Sequence, residues 1–214
     1  MDAIGNHDAG ADAAICSYAM TPVSSDDRSD MARLVAGHDS ALNDLMARHG
    51  DKLFQYLIRS LQNEDEAADL AQETFVRVYQ HRAKFNPAQK FSTWLYAIAS
   101  NLVRDCYRSR VRHPLVSLDA KNEPSGAEFG EHLPDDKLIP SETMQVAERA
   151  EAVRKAVAEL PEELRTPLIL AEYEDMSQAE IGEILNCSAK AVETRIYRAR
   201  KQLRETLKLH FQPT

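Results

Sequence analysis

Residues 177–204 set the tightest limit on the fold of this chain, because two short helical patterns are separated there by a turn of three residues. The first pattern opens with Ser177 and Glu180, which have the spacing of a capping box: each side chain satisfies a free backbone N–H at the helix start. The turn ends at Ser188, whose hydroxyl is suited to cap the following helix. Two capped helices joined by so short a turn predict a helix-turn-helix motif.

The second helix of this motif combines one apolar stripe with one basic face. Residues 190–208 contain seven basic residues against two acidic ones, a net charge of +5. The apolar residues recur at helical spacing and form a narrow stripe. They are Val192, Ile196, Ala199 and Leu203. A basic face of this kind suits the major groove of duplex DNA. The alternative is an ordinary solvated helix, but the capped helix and short turn before it favour DNA binding.

The charge of the chain is distributed unevenly along its 214 residues. The formal net charge of −8 would by itself argue against binding to nucleic acid. However, residues 1–30 and 117–142 each carry a net charge of −5, whereas residues 90–113 carry +4. The acidic segments have the composition of unfolded chain, and the basic segments are the ones with helical patterns. The overall charge therefore does not exclude a nucleic-acid partner.

Helical periodicity, with no strand pattern, predicts an all-α protein of two small domains. Residues 1–30 are rich in Ala, Asp, Gly and Ser and predict a disordered tail. Residues 31–113 contain four helical patterns and form the first domain. Residues 114–141 hold four prolines and most of the acid, so they predict a flexible acidic linker. Residues 142–211 form the second domain, which ends with the helix-turn-helix.

Several classes of protein are not indicated by the sequence. The three cysteines lie far apart without metal-site spacing, which fits a reducing cytoplasm rather than a disulfide framework. No apolar run reaches about 18 residues, so we expect no membrane insertion and no secretion signal. Phosphate-binding loops and known catalytic motifs are also missing. We therefore expect a cytoplasmic protein that is not an enzyme and has no metal or other cofactor.

Aromatic and basic residues alternate along residues 90–112. They are Phe91, Trp94, Tyr96, Arg104, Tyr107, Arg108, Arg110 and Arg112. Single-stranded nucleic acid needs this combination, because bases stack on rings while phosphates meet cations. The alternative is that Phe91 and Trp94 only pack their own domain. Asn101, Arg104 and Arg108 lie off the predicted buried stripe, which favours DNA contact for these three.

Three segments together resemble the extracytoplasmic-function group of bacterial RNA polymerase sigma factors. They read EDEAADLAQETFVRVYQHRAKF at 64–85, KFSTWLYAIASNLVRDCYRSR at 90–110 and LPEELRTPLILAEYEDMSQAEIGEILNCSAKAVETRIYRARKQL at 160–203. The two-domain layout without middle domains is also similar to that group. The resemblance implies a sigma factor that directs core RNA polymerase to specific promoters and promotes melting of the −10 element. It further implies control by an anti-sigma factor and a linker that threads toward the active-site channel of the polymerase.

The resemblance also assigns roles to individual residues. Docking on the clamp coiled coil of the largest polymerase subunit falls to Asp69, Gln72 and Glu73. Contact with −10 DNA falls to Lys90, Ser92, Thr93, Tyr96, Asn101, Arg104 and Arg108. Reading of −35 bases falls to Lys190, Glu193, Thr194 and Tyr197, and −35 phosphates to Arg195, Arg198 and Lys201.

Three positions depart from the pattern that is common in the family. Lys190 stands where glycine is frequent, Glu193 where a basic residue is frequent, and Ala68 where an acid is frequent. A glutamate accepts a hydrogen bond from cytosine N4 and does not donate to guanine, so Glu193 changes the expected −35 preference.

Two other functions are compatible with the helix-turn-helix taken alone. The first is a dimeric transcription regulator that acts on duplex operators without being a polymerase subunit. The second is an adaptor that binds only proteins.

Overall fold

The structure is a computed structural model that describes residues 26–112 and 140–210. Within these ranges it contains eight α-helices, one 3₁₀ helix and no strand, which confirms the predicted all-α class. None of the described helices is long and apolar enough to cross a membrane. The predicted linker lies almost entirely outside the described residues, as does most of the predicted tail.

Of the eight described α-helices, four precede the predicted linker and four follow it. The first domain contains α1 (Asp27–Val35), α2 (Ser40–Leu61), α3 (Glu64–His81) and α4 (Phe91–Arg112). A 3₁₀ helix, Arg82–Lys84, follows α3. The second domain contains α5 (Pro140–Ala158), α6 (Glu162–Glu172), α7 (Gln178–Leu185) and α8 (Ala189–His210).

The first helix begins at an earlier residue than the sequence predicts, and charged side chains hold this segment in place. We expected a disordered tail through residue 30, but α1 begins at Asp27 and the side chain of Asp30 is fully buried. Asp30 accepts hydrogen bonds from Arg33 Nη1 at 3.0 Å and from Arg48 Nη2 at 2.8 Å. A buried carboxylate needs such partners, and Arg48 comes from α2. The helix α1 therefore begins within the segment that was predicted as a tail, and the Arg48 partner of this acidic segment is distant in sequence.

The core of the first domain lies where α2, α3 and α4 meet. The helix α3 starts at Asn63, whose side chain accepts a hydrogen bond from Glu66 N at 3.0 Å. In the middle of the core, Tyr56 is fully buried and its hydroxyl lies 2.8 Å from Ser100 Oγ. Apolar side chains from the three helices complete this core. They include Leu53, Leu57, Phe75, Val78, Leu95 and Ala99.

The second domain packs α7 and α8 against α6. Ile169 and Leu170 on α6 are fully buried, as are Ile181 on α7 and Val192 on α8. The two domains also touch each other: α4 lies against α7, and α2 lies against α5 and α6. The buried apolar residues of both domains form one continuous cluster. The sequence predicted two domains joined by a flexible linker and made no prediction about a contact between them.

Candidate nucleic-acid interface

The capping box at the start of α7 has formed. Ser177 Oγ accepts a hydrogen bond from Glu180 N at 3.3 Å, and Glu180 Oε2 accepts one from Ser177 N at 2.9 Å. The same carboxylate also accepts from Ser177 Oγ at 2.7 Å. These bonds satisfy donors that a helix start otherwise leaves without partners. They fix the point at which the chain enters the helix-turn-helix.

The turn between α7 and α8 is tight because a glycine lies beneath it. Asn186 adopts a left-handed conformation with φ of 51°, and Cys187 N donates to Gly182 O at 2.9 Å. A Cβ atom built on Gly182 would lie 2.7 Å from Cys187 O. No side chain fits at this position, so Gly182 sets how closely the turn approaches α7. The spacing of apolar residues did not single out this glycine.

The helix α8 buries its apolar stripe and leaves the opposite face exposed. Ser188 Oγ caps its start by accepting from Ala191 N at 3.2 Å. Val192, Ile196 and Ala199 are buried, as the periodicity predicted. Most of the residues assigned to −35 contact are exposed on the other face. They are Lys190, Glu193, Thr194, Tyr197, Arg198 and Lys201. The exception is Arg195, which is partly buried and donates to Cys187 Sγ at 3.7 Å.

Two of the candidate base-reading residues are paired with each other. Lys190 Nζ donates to Glu193 Oε2 at 2.9 Å, and both side chains are exposed. Thr194 Oγ1 donates to Lys190 O at 2.9 Å, so this hydroxyl is left as a hydrogen-bond acceptor only. A base edge that approaches the start of α8 therefore meets a cation and an anion side by side.

Three aromatic side chains lie close together at the start of α4. Trp94 lies 5.3 Å from Phe85 and 6.3 Å from Phe91, measured between ring centroids. Phe91 is buried and Trp94 is partly buried. These contacts favour the packing interpretation for Phe91 and Trp94, because aromatic pairs at such distances stabilise a core.

Further along α4, three polar residues share one face. Arg104 Nη1 donates to Asn101 Oδ1 at 3.2 Å, and Arg108 lies one turn away with Nη1 4.0 Å from Asp105 Oδ1. Asn101 and Arg108 are exposed, and Arg104 is partly buried. This face is open to a ligand in the structure.

The other candidate −10 residues on α4 lie near the start of this helix. Thr93 is 1% exposed and Tyr96 is 4% exposed, whereas Ser92 is partly buried. The Tyr96 hydroxyl donates to Glu174 Oε2 at 2.5 Å. Burial raises the pKa of Tyr96, and the neighbouring Glu174 raises it further. Burial also raises the pKa of Glu174. In this arrangement Thr93 and Tyr96 are not on the surface.

Lys90 contacts the same capping box that begins α7. Its Nζ donates to Glu180 Oε1 at 2.6 Å. The hydrogen bonds from Lys90 and Ser177 lower the pKa of Glu180 to about 2, and the glutamate raises the pKa of Lys90. The two residues lie in a cleft between the start of α4 and α7. This cleft is also lined by Asn86, Gln89, Thr93 and Glu183.

A separate exposed face lies on α3. Asp69 and Gln72 are exposed, and Glu73 is partly exposed and accepts from Arg77 Nε at 2.8 Å. Val76, one turn further along, has 46% of its surface exposed. The helix buries Ala67, Thr74, Phe75 and Val78 on its other side. The three residues assigned to polymerase docking therefore share one accessible surface.

Comparison with known proteins identifies the family. The sigma-70 region 2 family matches residues 45–113, and the sigma-70 region 4 family matches residues 150–203. The sigma factor SigW of Bacillus subtilis is 37% identical over 175 residues, which are 80% of this chain and 91% of that protein. The chain belongs to the extracytoplasmic-function sigma factors. It is a promoter-directing sigma factor, and the dimeric operator-binding regulator is not favoured.

Other sigma factors are similar over the same span. The sigma-E factor of Haemophilus influenzae is 31% identical over 182 residues, which are 83% of this chain and 93% of that protein. The structure of CnrH in complex with the cytosolic domain of CnrY is 28% identical, with a TM-score of 0.61. It covers 86% of this chain and 97% of CnrH. The sigma factor RpoE from Bartonella quintana, in complex with the anti-sigma factor NepR, shares the fold with a TM-score of 0.60.

In this sigma factor, sequence reasoning missed the residues that join the two domains. Arg165 of α6 is 8% exposed and donates to Leu160 O within its own domain at 2.7 Å. It also donates to Ser60 O at 2.8 Å and to the Tyr107 hydroxyl at 2.5 Å, both in the first domain. An arginine inside an apolar helix pattern could have indicated a buried polar contact, since a buried arginine requires hydrogen-bond partners. The pattern does not identify which residues those partners are.

Proposed function

We propose that this sigma factor uses three separate helical faces for three tasks in initiation. The face of α3 docks on polymerase, α4 captures single-stranded −10 DNA, and α8 reads the −35 duplex. The observation that carries the proposal is the exposed basic face of α8, which is presented by a capped helix-turn-helix whose apolar stripe is buried. Such a motif places the second helix in the major groove.

The polymerase contact falls to Asp69, Gln72 and Glu73. Their common exposure on α3 supports docking on the clamp coiled coil of the largest polymerase subunit. Val76 provides apolar area next to these polar groups, and interfaces commonly combine an apolar centre with a polar rim. Ala68, where related proteins often carry an acid, removes one charge from this surface.

The −10 contact falls to the face formed by Asn101, Arg104 and Arg108, together with the groups at the start of α4. Extruding a base costs a few kcal/mol, which contacts to the flipped base must offset. Asn101 and Arg104 are hydrogen-bonded to each other, so the amide is held in place for a base edge. Lys90, Ser92, Thr93 and Tyr96 join this site when the second domain moves away.

The −35 contact falls to the start of α8. Lys190 and Glu193 would read adjacent base edges, with Lys190 donating to guanine and Glu193 accepting from cytosine N4. Thr194 and Tyr197 complete the base-reading face. Arg195, Arg198 and Lys201 serve phosphates, which fix the register of the helix on the duplex.

The sigma factor acts in the cytoplasm and has neither enzymatic activity nor a cofactor. An anti-sigma protein controls its activity. CnrH was solved in complex with the cytosolic domain of CnrY, and RpoE was solved in complex with the anti-sigma factor NepR. These similarities support the proposal that an anti-sigma protein also binds the present chain.

Reconstitution with core polymerase tests the assignment. The full chain and core enzyme are combined with a promoter library, and both run-off transcripts and permanganate-reactive thymines are scored. Transcripts that require both components, with melting confined to the −10 region, are the expected result. Duplex binding by the free chain without any polymerase-dependent transcript would contradict the proposal and restore the operator-binding regulator.

Asn101→Ala separates melting from recruitment in the same assay. We expect permanganate reactivity to fall while closed-complex binding is retained, because the amide contacts only an unpaired base. Ser109→Ala, at an exposed position of the same helix, serves as the matched control and should change neither readout. An equal loss of binding and melting would show that Asn101 does not have the assigned role.

A further inference from the structure

The start of α8 carries two opposite charges that are held together. Lys190 Nζ donates to Glu193 Oε2 at 2.9 Å, and the two residues lie three positions apart on the exposed face. Their side chains remain 80% and 49% exposed, so each has room for a further partner. In a helix-turn-helix, the first residues of the second helix contact base edges. A base pair that approaches α8 therefore meets both charged groups at once.

Glu193 has no other cation beside it on this face. Arg195 is the nearest in sequence, but it is partly buried and donates to Cys187 Sγ at 3.7 Å. The hydroxyl of Thr194 donates to Lys190 O and is not available to the carboxylate. The phosphates along both edges of the groove repel a lone carboxylate. Glu193 therefore enters the groove favourably only together with Lys190.

A G·C base pair has polar groups that match this ion pair. Its major-groove edge shows the O6 and N7 acceptors of guanine and the N4 donor of cytosine. O6 and N4 are hydrogen-bonded to each other within the base pair, so they lie about 2.9 Å apart. The donor of Lys190 and the acceptor of Glu193 have the same spacing. Lys190 can thus donate to O6 while Glu193 accepts the N4 hydrogen that points into the groove.

The other three base pairs fit the ion pair less well. A T·A pair shows an acceptor and a donor in the same order, thymine O4 and adenine N6. However, the thymine methyl group lies where guanine has its second acceptor, N7, and an ammonium group has three hydrogens to donate. The reversed pairs, C·G and A·T, place an amino group against Lys190. The expected order of preference is G·C, then T·A, then the two reversed pairs.

We propose that Lys190 and Glu193 act as one unit that reads both bases of a single G·C pair in the −35 element. This inference rests on the proposed role of α8 in −35 binding. The two residues determine specificity together, so the loss of either one relaxes the preference at the same base pair. Residues that read two neighbouring pairs independently would instead affect two positions.

Selection from promoters with a randomised −35 element tests the inference in the reconstituted holoenzyme. We expect the wild type to prefer G·C over T·A by about tenfold at one position. Lys190→Ala and Glu193→Ala should each reduce this preference to less than about twofold at that position and leave the other positions unchanged. Changes at two different positions, or at none, would overturn the inference.

A matched control separates base reading from a simple change in charge. Lys201→Ala removes the same charge as Lys190→Ala from the same exposed face. Loss of a phosphate contact should weaken binding to all sequences nearly equally and keep every base preference. If Lys201→Ala relaxes the same base pair as Lys190→Ala, charge and not direct contact sets the preference, and the inference fails.

Modified bases test the two contacts one at a time. N4-methylcytosine at the selected position still pairs with guanine but replaces the groove-facing N4 hydrogen by a methyl group. We expect it to weaken holoenzyme binding about tenfold for wild type and less than about twofold for Glu193→Ala. 7-Deazaguanine, which lacks N7, should lower the affinity of wild type and leave that of Lys190→Ala unchanged. Equal losses in the wild type and the variants would contradict the assigned contacts.

The outcomes also distinguish this inference from the function on which it rests. A wild-type holoenzyme that uses all randomised −35 elements equally would refute the proposed −35 role itself. Selection by the wild type at −35 positions, without a shared change in the two variants, would keep that role and refute the reading of one base pair by both residues.

Discussion

At the scale of single residues, the helix-turn-helix depends on the absence of a side chain at position 182. A methyl group there would lie 2.7 Å from the carbonyl oxygen of Cys187, and backbone cannot move aside as a flexible side chain can. We therefore expect Gly182→Ala to lower the free energy of unfolding by about 1–3 kcal/mol, the usual range for overpacking. Urea unfolding of the full chain followed by circular dichroism measures this change.

Gly50 provides the control for this prediction. It lies inside α2, and a Cβ atom built on it would meet nothing within 4 Å. Alanine is a better helix former than glycine by about 1 kcal/mol, so Gly50→Ala should stabilise the protein. Gly182→Ala would then lower the free energy of unfolding, whereas Gly50→Ala would raise it. A Gly182→Ala variant as stable as the wild type would contradict the steric argument.

A second residue-scale prediction concerns base preference at the −35 element. Glu193 should select cytosine, whereas glutamine favours adenine through a bidentate contact. We expect Glu193→Gln to shift the preferred base at one −35 position from cytosine to adenine, with discrimination of about 1–3 kcal/mol. Selection from promoters with a randomised −35 element, using the reconstituted holoenzyme, measures the shift.

Arg198→Ala is the comparison for this selection. Loss of a phosphate contact should weaken binding to all sequences nearly equally and leave the preferred bases unchanged. If Glu193→Gln keeps the wild-type preference, Glu193 does not contact a base.

At the scale of elements, α7 is the helix most dependent on its cap. It contains eight residues, which is too short for a helix to be stable in water on its own. Ser177→Ala removes the hydroxyl of the capping box and should cost about 1 kcal/mol of folding stability. The urea midpoint measures this loss, and Ser109→Ala at an exposed position on α4 should not lower it, since alanine is a better helix former than serine. Equal midpoints for the two variants would mean that the cap contributes nothing.

The same cap predicts a dependence on pH. Contacts with Lys90 and Ser177 lower the pKa of Glu180 from its ordinary value of 4.5 to about 2. A carboxyl group whose pKa falls on folding stabilises the protein above its ordinary pKa, and this stabilisation disappears as the pH falls through the folded value. We therefore expect wild type to be more stable than Glu180→Gln at neutral pH, with the gap narrowing from pH 4.5 toward 2. Urea unfolding across this range measures the gap, and a constant gap would contradict the prediction.

At the scale of the whole molecule, polar contacts join the two domains in addition to the apolar cluster that they share. The Tyr107 hydroxyl donates to Ser60 O at 2.6 Å and accepts from Arg165 Nη1 at 2.5 Å. Tyr107→Phe removes both bonds and keeps the ring. We expect a larger radius of gyration in small-angle scattering and a stability loss of about 1–3 kcal/mol, because Ser60 O and Arg165 each lose one of their hydrogen bonds.

Tyr79 provides the control for this change. Its ring contacts Arg82 within the first domain and is only partly buried. Tyr79→Phe should leave the radius of gyration unchanged. A Tyr107→Phe chain as compact as wild type would mean that the Tyr107 hydroxyl is not needed to hold the domains together.

Local patterns in the sequence were sufficient to predict the all-α class, the caps of the helix-turn-helix and the family. Ser177, Glu180 and Ser188 predicted the helix-turn-helix because capping is a local interaction between residues three positions apart. The stripe of Val192, Ile196 and Ala199 predicted the buried face of α8 for the same reason, since helical periodicity is local. The exposed face of α8 followed directly from this stripe.

Contacts between residues that are distant in the chain could be known only from the folded structure. Asp30 is ordered by Arg48, Tyr96 is covered by Glu174, and Arg165 joins carbonyl and hydroxyl groups of the other domain. Each pair combines polar groups from different elements of the fold, and the burial of these groups depends on how those elements pack. Local periodicity carries no information about such packing. The sequence therefore identified a sigma factor and led us to propose three contact surfaces, whereas the packing of its two domains decides which part of those surfaces is accessible.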